Sequence, residues 1–95
     1  MVRSIFQDGK KCFICESQQN LENHHVFFGE KRDTSDRNGF VCYLCNHCHT
    51  GSNEAVHCKD GHAADIYLKQ TAQQAYEDLG HTRQQFIDLI GKSYL

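Results

Sequence analysis

The sequence predicts a small α+β domain stapled by a metal ion: an antiparallel hairpin, a ligand-rich segment after it, and two C-terminal helices. Three observations predict it. The chain has 95 residues with no Pro and no Trp, too short to bury a large core without a staple. It carries six Cys and seven His, and Cys12/Cys15 and Cys45/Cys48 form two C-x2-C knuckles with the spacing of a tetrahedral zinc site. Aromatic and β-branched runs lie between the knuckles, and apolar residues at helical spacing follow them. Residues 1–95 read as a single domain, a zinc core over 12–58 with a helical extension over 61–95.

Each element follows from local residues. Residues 1–11 are a polar lead-in to the first knuckle, Cys12-Phe13-Ile14-Cys15. Leu21 to Gly29, centred on His24-His25-Val26-Phe27-Phe28, reads as a strand ended by glycine. Glu30 to Gly39 is polar and turn-rich and reads as a loop. Phe40 to Leu44 is aromatic and β-branched, a second strand, which gives an antiparallel hairpin with a long tip. Residues 45–58 read as a short, irregular helix interrupted at Gly51-Ser52-Asn53. From about His62 to Leu79, the positions Ala64, Leu68, Ala72, Ala75, Tyr76 and Leu79 recur at helical spacing, with Gly80 as C-cap. Thr82-Arg83-Gln84-Gln85 fits a capping box, followed by the apolar face Phe86, Ile87 and Ile90 and by Gly91. The apolar stripes of both helices are core positions.

Composition narrows the function classes. The formal net charge is −2 and no basic tail is present, which argues against a nucleic-acid binder that works by bulk charge. A local phosphate site built around a metal remains open. No run approaches the roughly 18 apolar residues of a membrane span, and the opening residues Met1 to Asp8 hold no apolar run of the secretory kind. A cytoplasmic protein without a membrane partner is expected. For the cysteines, a disulfide framework and a redox pair are the other readings; neither has a supporting export signal or a β-α-β pattern. Cys42 can replace one zinc ligand, because C-x2-C occurs twice in residues 42–48. On a strand Cys42 and Cys45 face opposite sides, so both are not expected at one ion. Cys58 reads as a small semi-buried thiol.

Closing the finger brings the His24-His25 strand beside the segment that carries His49, so His24 or His25, His49 and His57 gather around one point. The set Cys12-x2-Cys15, His24-His25 and Leu44-Cys45-x2-Cys48-His49 resembles the HNH endonuclease family over roughly residues 12–58. The long-tipped hairpin, the Gly51-Ser52-Asn53…Val56-His57 segment and the Tyr94-Leu95 ending are similar to small phage and prophage proteins grouped with recombination-associated HNH nucleases. The resemblance implies a ββα-metal, treble-clef-like core and a metal-dependent DNA endonuclease. It implies His25 as general base and one divalent ion (Mg²⁺, Mn²⁺, Ni²⁺ or Zn²⁺) on His24, His49 and His57. Asn53, four residues after His49, is the alternative ligand on spacing. A separate structural Zn²⁺ would sit on Cys12, Cys15, Cys45 and Cys48. DNA is the implied partner, with a homodimer or a recombination or packaging protein as further partners, in the host cytoplasm if the chain is phage-encoded.

The chemistry suits this set. Phosphodiester hydrolysis needs an activated water, a neutralised phosphate and a stabilised leaving oxygen. A neutral imidazole can take the water's proton near pH 7, and a divalent ion can serve the other two needs. The chain departs from the family pattern in three places. Phe40 stands where the family has Asn, nine residues before His49, and Asn38 is two residues off. His49 and His57 are eight residues apart, about 12 Å along a continuous helix, so sharing an ion requires a break at Gly51-Ser52. His24 and His25 point to opposite faces of a strand, so using both requires the ion at the strand's end or on a distorted stretch. Other residues keep plainer readings: His47 as solvated or finger-lining, His62 and His81 as surface or capping groups. For Lys31, Arg32 and Arg37, phosphate contact and simple solvation of the loop are both open. A non-catalytic zinc module that binds DNA or a protein is the alternative from another class, and a structural phage component the third.

Overall fold

A computed structural model describes residues 3–50 and 61–95. His57, Asn53, Cys58 and the expected interruption at Gly51-Ser52-Asn53 lie outside the described residues. The elements in chain order are β1 (Leu21–His25), a 3₁₀ turn (Gly29–Lys31), α1 (Arg32–Asn38), β2 (Val41–Cys45), α2 (Asn46–His49), α3 (His62–Asp78) and α4 (Arg83–Ile90). The result is a small α+β structure with a two-stranded antiparallel sheet, as the sequence predicts. Its register pairs Leu21 with Cys45 and His25 with Val41. Among the described residues no helix is long and apolar enough to cross a membrane.

The hairpin tip differs from expectation. The first strand ends at His25 rather than Gly29, and the polar stretch after it forms α1 rather than a loop. The helix has no apolar stripe. It is docked by Ser35, which is fully buried: its hydroxyl accepts from the Phe27 amide at 3.0 Å and donates to the Phe27 carbonyl at 2.6 Å. These bonds take both main-chain groups of Phe27, which explains why the strand stops before it. An Asp33–Arg37 pair at 3.3 Å, one turn apart, adds modest local support.

Gly39 caps α1 with φ +76°, and the carbonyl of Gly39 accepts from the Ile5 amide at 3.0 Å. A Cβ at this position would lie 2.7 Å from the Arg3 carbonyl oxygen and 2.8 Å from Ile5 Cγ2. Both the left-handed backbone and the close approach of the lead-in require glycine. Gly39→Ala is expected to lower stability by roughly 1–3 kcal/mol, read as a lower denaturant midpoint. An unchanged midpoint would show that the lead-in does not pack here in solution.

The lead-in is more than a tether. Its Gln7 side chain accepts from the Tyr43 amide at 2.8 Å, and the Phe13 amide donates to the Tyr43 carbonyl at 2.9 Å. The outer edge of β2 is thereby satisfied instead of exposed.

The core lies where the hairpin meets the C-terminal helices. Phe27 and Phe40 pack against each other with ring centroids 5.3 Å apart, and both meet Phe86 of α4, at 5.6 and 6.0 Å. Leu68, Ala72 and Tyr76 of α3 and Ile90 of α4 complete it. The capping box forms as expected, with the Thr82 hydroxyl accepting from the Gln85 amide and the Gln85 side chain accepting from the Thr82 amide. The stripe on α3 is less regular than its spacing predicts. Leu79 is 64% exposed, whereas Gln73 is fully buried. Gln73 is tolerated because its amide donates to Glu77 and Ser93 and its carbonyl oxygen accepts from the Tyr94 amide. The C-terminal segment is thus tied to α3.

Candidate functional site

Two adjoining clusters hold the candidate site residues. The first is built from the knuckle turn and the β2–α2 junction. Cys12 and Cys15 sit on one tight turn, in which the Glu16 amide donates to the Cys12 carbonyl at 2.9 Å. Cys45 ends β2 and Cys48 lies in α2. Their four sulfurs all fall within 4.8 Å of one another, with Cys15 and Cys45 at 3.5 Å. A tetrahedron with Zn–S bonds of about 2.3 Å has S···S edges of about 3.8 Å. The donor set and its spacing therefore fit a structural metal such as zinc.

The thiols of the cluster differ in their electrostatic surroundings. Burial raises Cys12, but the backbone amides of Cys15, Cys45 and Ile14 outweigh it and bring the thiol down to about 6. Burial, together with the sulfurs of Cys45, Cys12 and Cys15, pushes Cys48 well above the usual thiol range. One thiolate forms readily and discourages the others, so a metal that binds all four must displace protons. Cys42 is not among them. It points into the core opposite Cys45 and burial pushes it up to about 12, an inert packing residue. The five described cysteines are all free thiols.

The second cluster lies at the end of β1. His24 is 1% exposed and its ring centroid is 5.2 Å from that of His49. His49, in α2 directly after Cys48, is held by Glu22: Nδ1 lies 2.7 Å from Glu22 Oε1. That bond from His49, with one from Asn46, lowers the Glu22 carboxyl below its ordinary value. Because an ionised carboxylate only accepts, Nδ1 of His49 is the donor in this bond.

His25 is the last residue of β1 and faces the other way. Its Nε2 lies 3.1 Å from Asp36 Oδ1. His25 and His49 nonetheless border one pocket of about 320 Å³, with Asn23, Phe28, Gly29 and Arg32 as its other walls. His24 is not among its walls; of the β1 residues that border it, Asn23 and His25 lie on one face of the strand.

The structure thus places His24 beside His49, puts His25 and His49 on the wall of one pocket, and separately brings together Cys12, Cys15, Cys45 and Cys48. His57 and Asn53, the remaining expected ligands, lie outside the described residues. Among the described residues the four cysteines are the one group of three or more His, Cys, Asp or Glu donors that converges this closely. Phe40 is fully buried in the aromatic core and orients nothing at the site. Asn38 donates to the Thr34 carbonyl within α1. Of the three basic loop residues, Arg32 borders the pocket, while Arg37 pairs with Asp33. His47 and His62 are exposed, and His81 stacks on Tyr76 at 4.0 Å.

Sequence reasoning missed Glu22 and Asp36. Glu22 was within reach, because residues two apart on a strand share a face and it stands two before His24. Asp36 was not, because its placement depends on a helix that carries no apolar periodicity. No family model matches the chain, and no curated protein or solved structure gives a significant match.

Proposed function

We propose that this chain is a small zinc-stabilised endonuclease of the HNH type, with a ββα-metal, treble-clef-like core, that hydrolyses DNA phosphodiesters. The observation that carries the reading is the placement of His49 beside His24 and on one pocket wall with His25, next to a four-cysteine cluster. In this reading the structural zinc fixes β2 and α2 relative to the knuckle, and so fixes His49 against His24.

The imidazole of His25 removes a proton from water. The water oxygen forms a bond to phosphorus, the bond from phosphorus to the 3′ oxygen breaks, and that oxygen leaves with the electron pair and takes up a proton from solvent. A divalent ion (Mg²⁺, Mn²⁺, Ni²⁺ or Zn²⁺) on His24, His49 and His57, or Asn53, would supply charge neutralisation at the phosphate and the leaving oxygen. Glu22 holds His49 in the tautomer that a metal ligand requires. Arg32, at the pocket wall, supplies a guanidinium suited to a backbone phosphate.

The route of cleavage fixes the product ends. Nicks made in supercoiled plasmid by the zinc-loaded protein with Mg²⁺, Mn²⁺ or Ni²⁺ are expected to carry 5′-phosphate and 3′-hydroxyl groups, and DNA ligase alone should reseal them. Nicks that resist ligation would contradict the chemistry. One observation favours a second reading, a non-catalytic zinc module: Phe40 is buried in the core where the family has Asn. Retention of DNA that stays intact with every ion would support it.

A further inference from the structure

We propose that Asp36 is a positioning residue for His25, fixing its orientation and tautomer so that Nδ1 is the nitrogen offered to the attacking water. The proposal rests on the reading of His25 as general base. It deepens that reading by supplying the orienting group that Phe40 does not.

The geometry is built rather than incidental. Asp36 Oδ1 lies 3.1 Å from His25 Nε2, across 11 residues of sequence. Asp36 follows Ser35, whose buried hydroxyl is bonded to both main-chain groups of Phe27, two residues beyond His25. The carbonyl of Ser35 also accepts from the amides of Gly39 and Phe40. The helix that carries Asp36 is therefore pinned to the strand end that carries His25. The imidazole is largely enclosed, with its side chain 16% exposed, while the carboxylate is 49% exposed.

The chemical consequence follows from the donors. An ionised carboxylate only accepts, so Nε2 of neutral His25 holds the proton and donates it to Asp36. Nδ1 then holds the lone pair. A carboxylate in this relation also stabilises the imidazolium that forms when the water proton arrives. No covalent bond to Asp36 changes, and its role is exerted through His25.

The test is Asp36→Ala, Asp36→Asn and Asp36→Glu in the full-length zinc-loaded chain, with Asp33→Asn on the same helix as control. Asp33 pairs with Arg37 on the helix surface. An exposed ion pair adds little to stability, so the Asp36 variants are expected to fold. The first readout is the ¹⁵N signature of the His25 ring at a pH where it is neutral, before any catalytic ion is added. Wild type and Asp36→Glu should show the Nε2–H tautomer, and Asp36→Ala a mixture of both. The second readout is plasmid nicking. Asp36→Ala and Asp36→Asn should lose about 10–100-fold in kcat with little change in KM, Asp36→Glu should recover part of the loss, and Asp33→Asn should match wild type. A His25 tautomer unchanged in Asp36→Ala overturns the proposal whether or not the wild type cleaves DNA. Wild-type protein that does not nick overturns the nuclease reading instead, and the ring signature still decides what Asp36 does to His25.

Discussion

Replacing His25 with alanine is expected to slow DNA nicking by about 10²–10⁴-fold, the usual contribution of a positioned general base, and to leave the fold and the zinc content intact. The position makes this separation possible. His25 ends β1, and its pairing with Val41 uses the main chain, which alanine retains. Its imidazole meets Asp36, which is half exposed, so truncation strands no buried charge, and loss of the pair itself costs at most about 1 kcal/mol. His24 offers no such separation. It is 1% exposed and packed beside His49, so His24→Ala opens a cavity as well as removing a ligand. A loss of activity in His24→Ala mixes two causes; His25→Ala, at a side chain less deeply buried, disturbs packing less. Far-ultraviolet circular dichroism and zinc content of the variant are the required controls.

Removal of the structural metal should have the larger effect on stability. Structural zinc sites in small domains contribute on the order of 10–16 kcal/mol of apparent binding free energy, comparable to the roughly 5–15 kcal/mol that separates a typical folded domain from its unfolded chain. Here the four sulfurs tie three segments together at one point: the knuckle turn, the end of β2 and α2. Strong chelation is expected to abolish the native circular dichroism, and readdition of Zn²⁺ to restore it with one tightly bound ion per chain. Cys12→Ser should reproduce the chelated state, while Cys42→Ala, at the buried cysteine outside the cluster, should still bind zinc. Persistence of the native spectrum after chelation would show that the aromatic core around Phe27, Phe40 and Phe86 suffices alone.

Where the sequence speaks through the spacing of the cysteine knuckles and the helix cap, the structure agrees with it. The C-x2-C knuckles converge as their period implies, and the alternation along β2 sends Cys42 away from Cys45. The Thr82–Gln85 capping box opens α4 because its two reciprocal bonds are local and need no tertiary partner. Where structure depends on contacts distant in sequence, it was not legible. Residues 32–38 look like a loop because their helix is docked by a serine hydroxyl and not by an apolar stripe. That single misreading hid Asp36 from His25. Gln73 and Leu79 exchange their expected environments for a similar reason, since the C-terminal segment supplies hydrogen-bond partners to Gln73 that no helical period encodes. The histidine cluster was legible in part: order along the chain places His24 and His49 together, but that His25, on the other face of β1, shares a pocket wall with His49 depends on tertiary packing.

The most direct measurement is the initial rate of supercoiled-plasmid nicking by wild type and His25→Ala, matched for zinc content, with Mg²⁺, Mn²⁺ or Ni²⁺ added. Ion-dependent nicking by the wild type that falls at least about 100-fold in the variant is the expected result. Equal rates in the two proteins, or intact plasmid with folded, zinc-loaded wild type under every ion, would contradict the assignment of a hydrolase with His25 as its base.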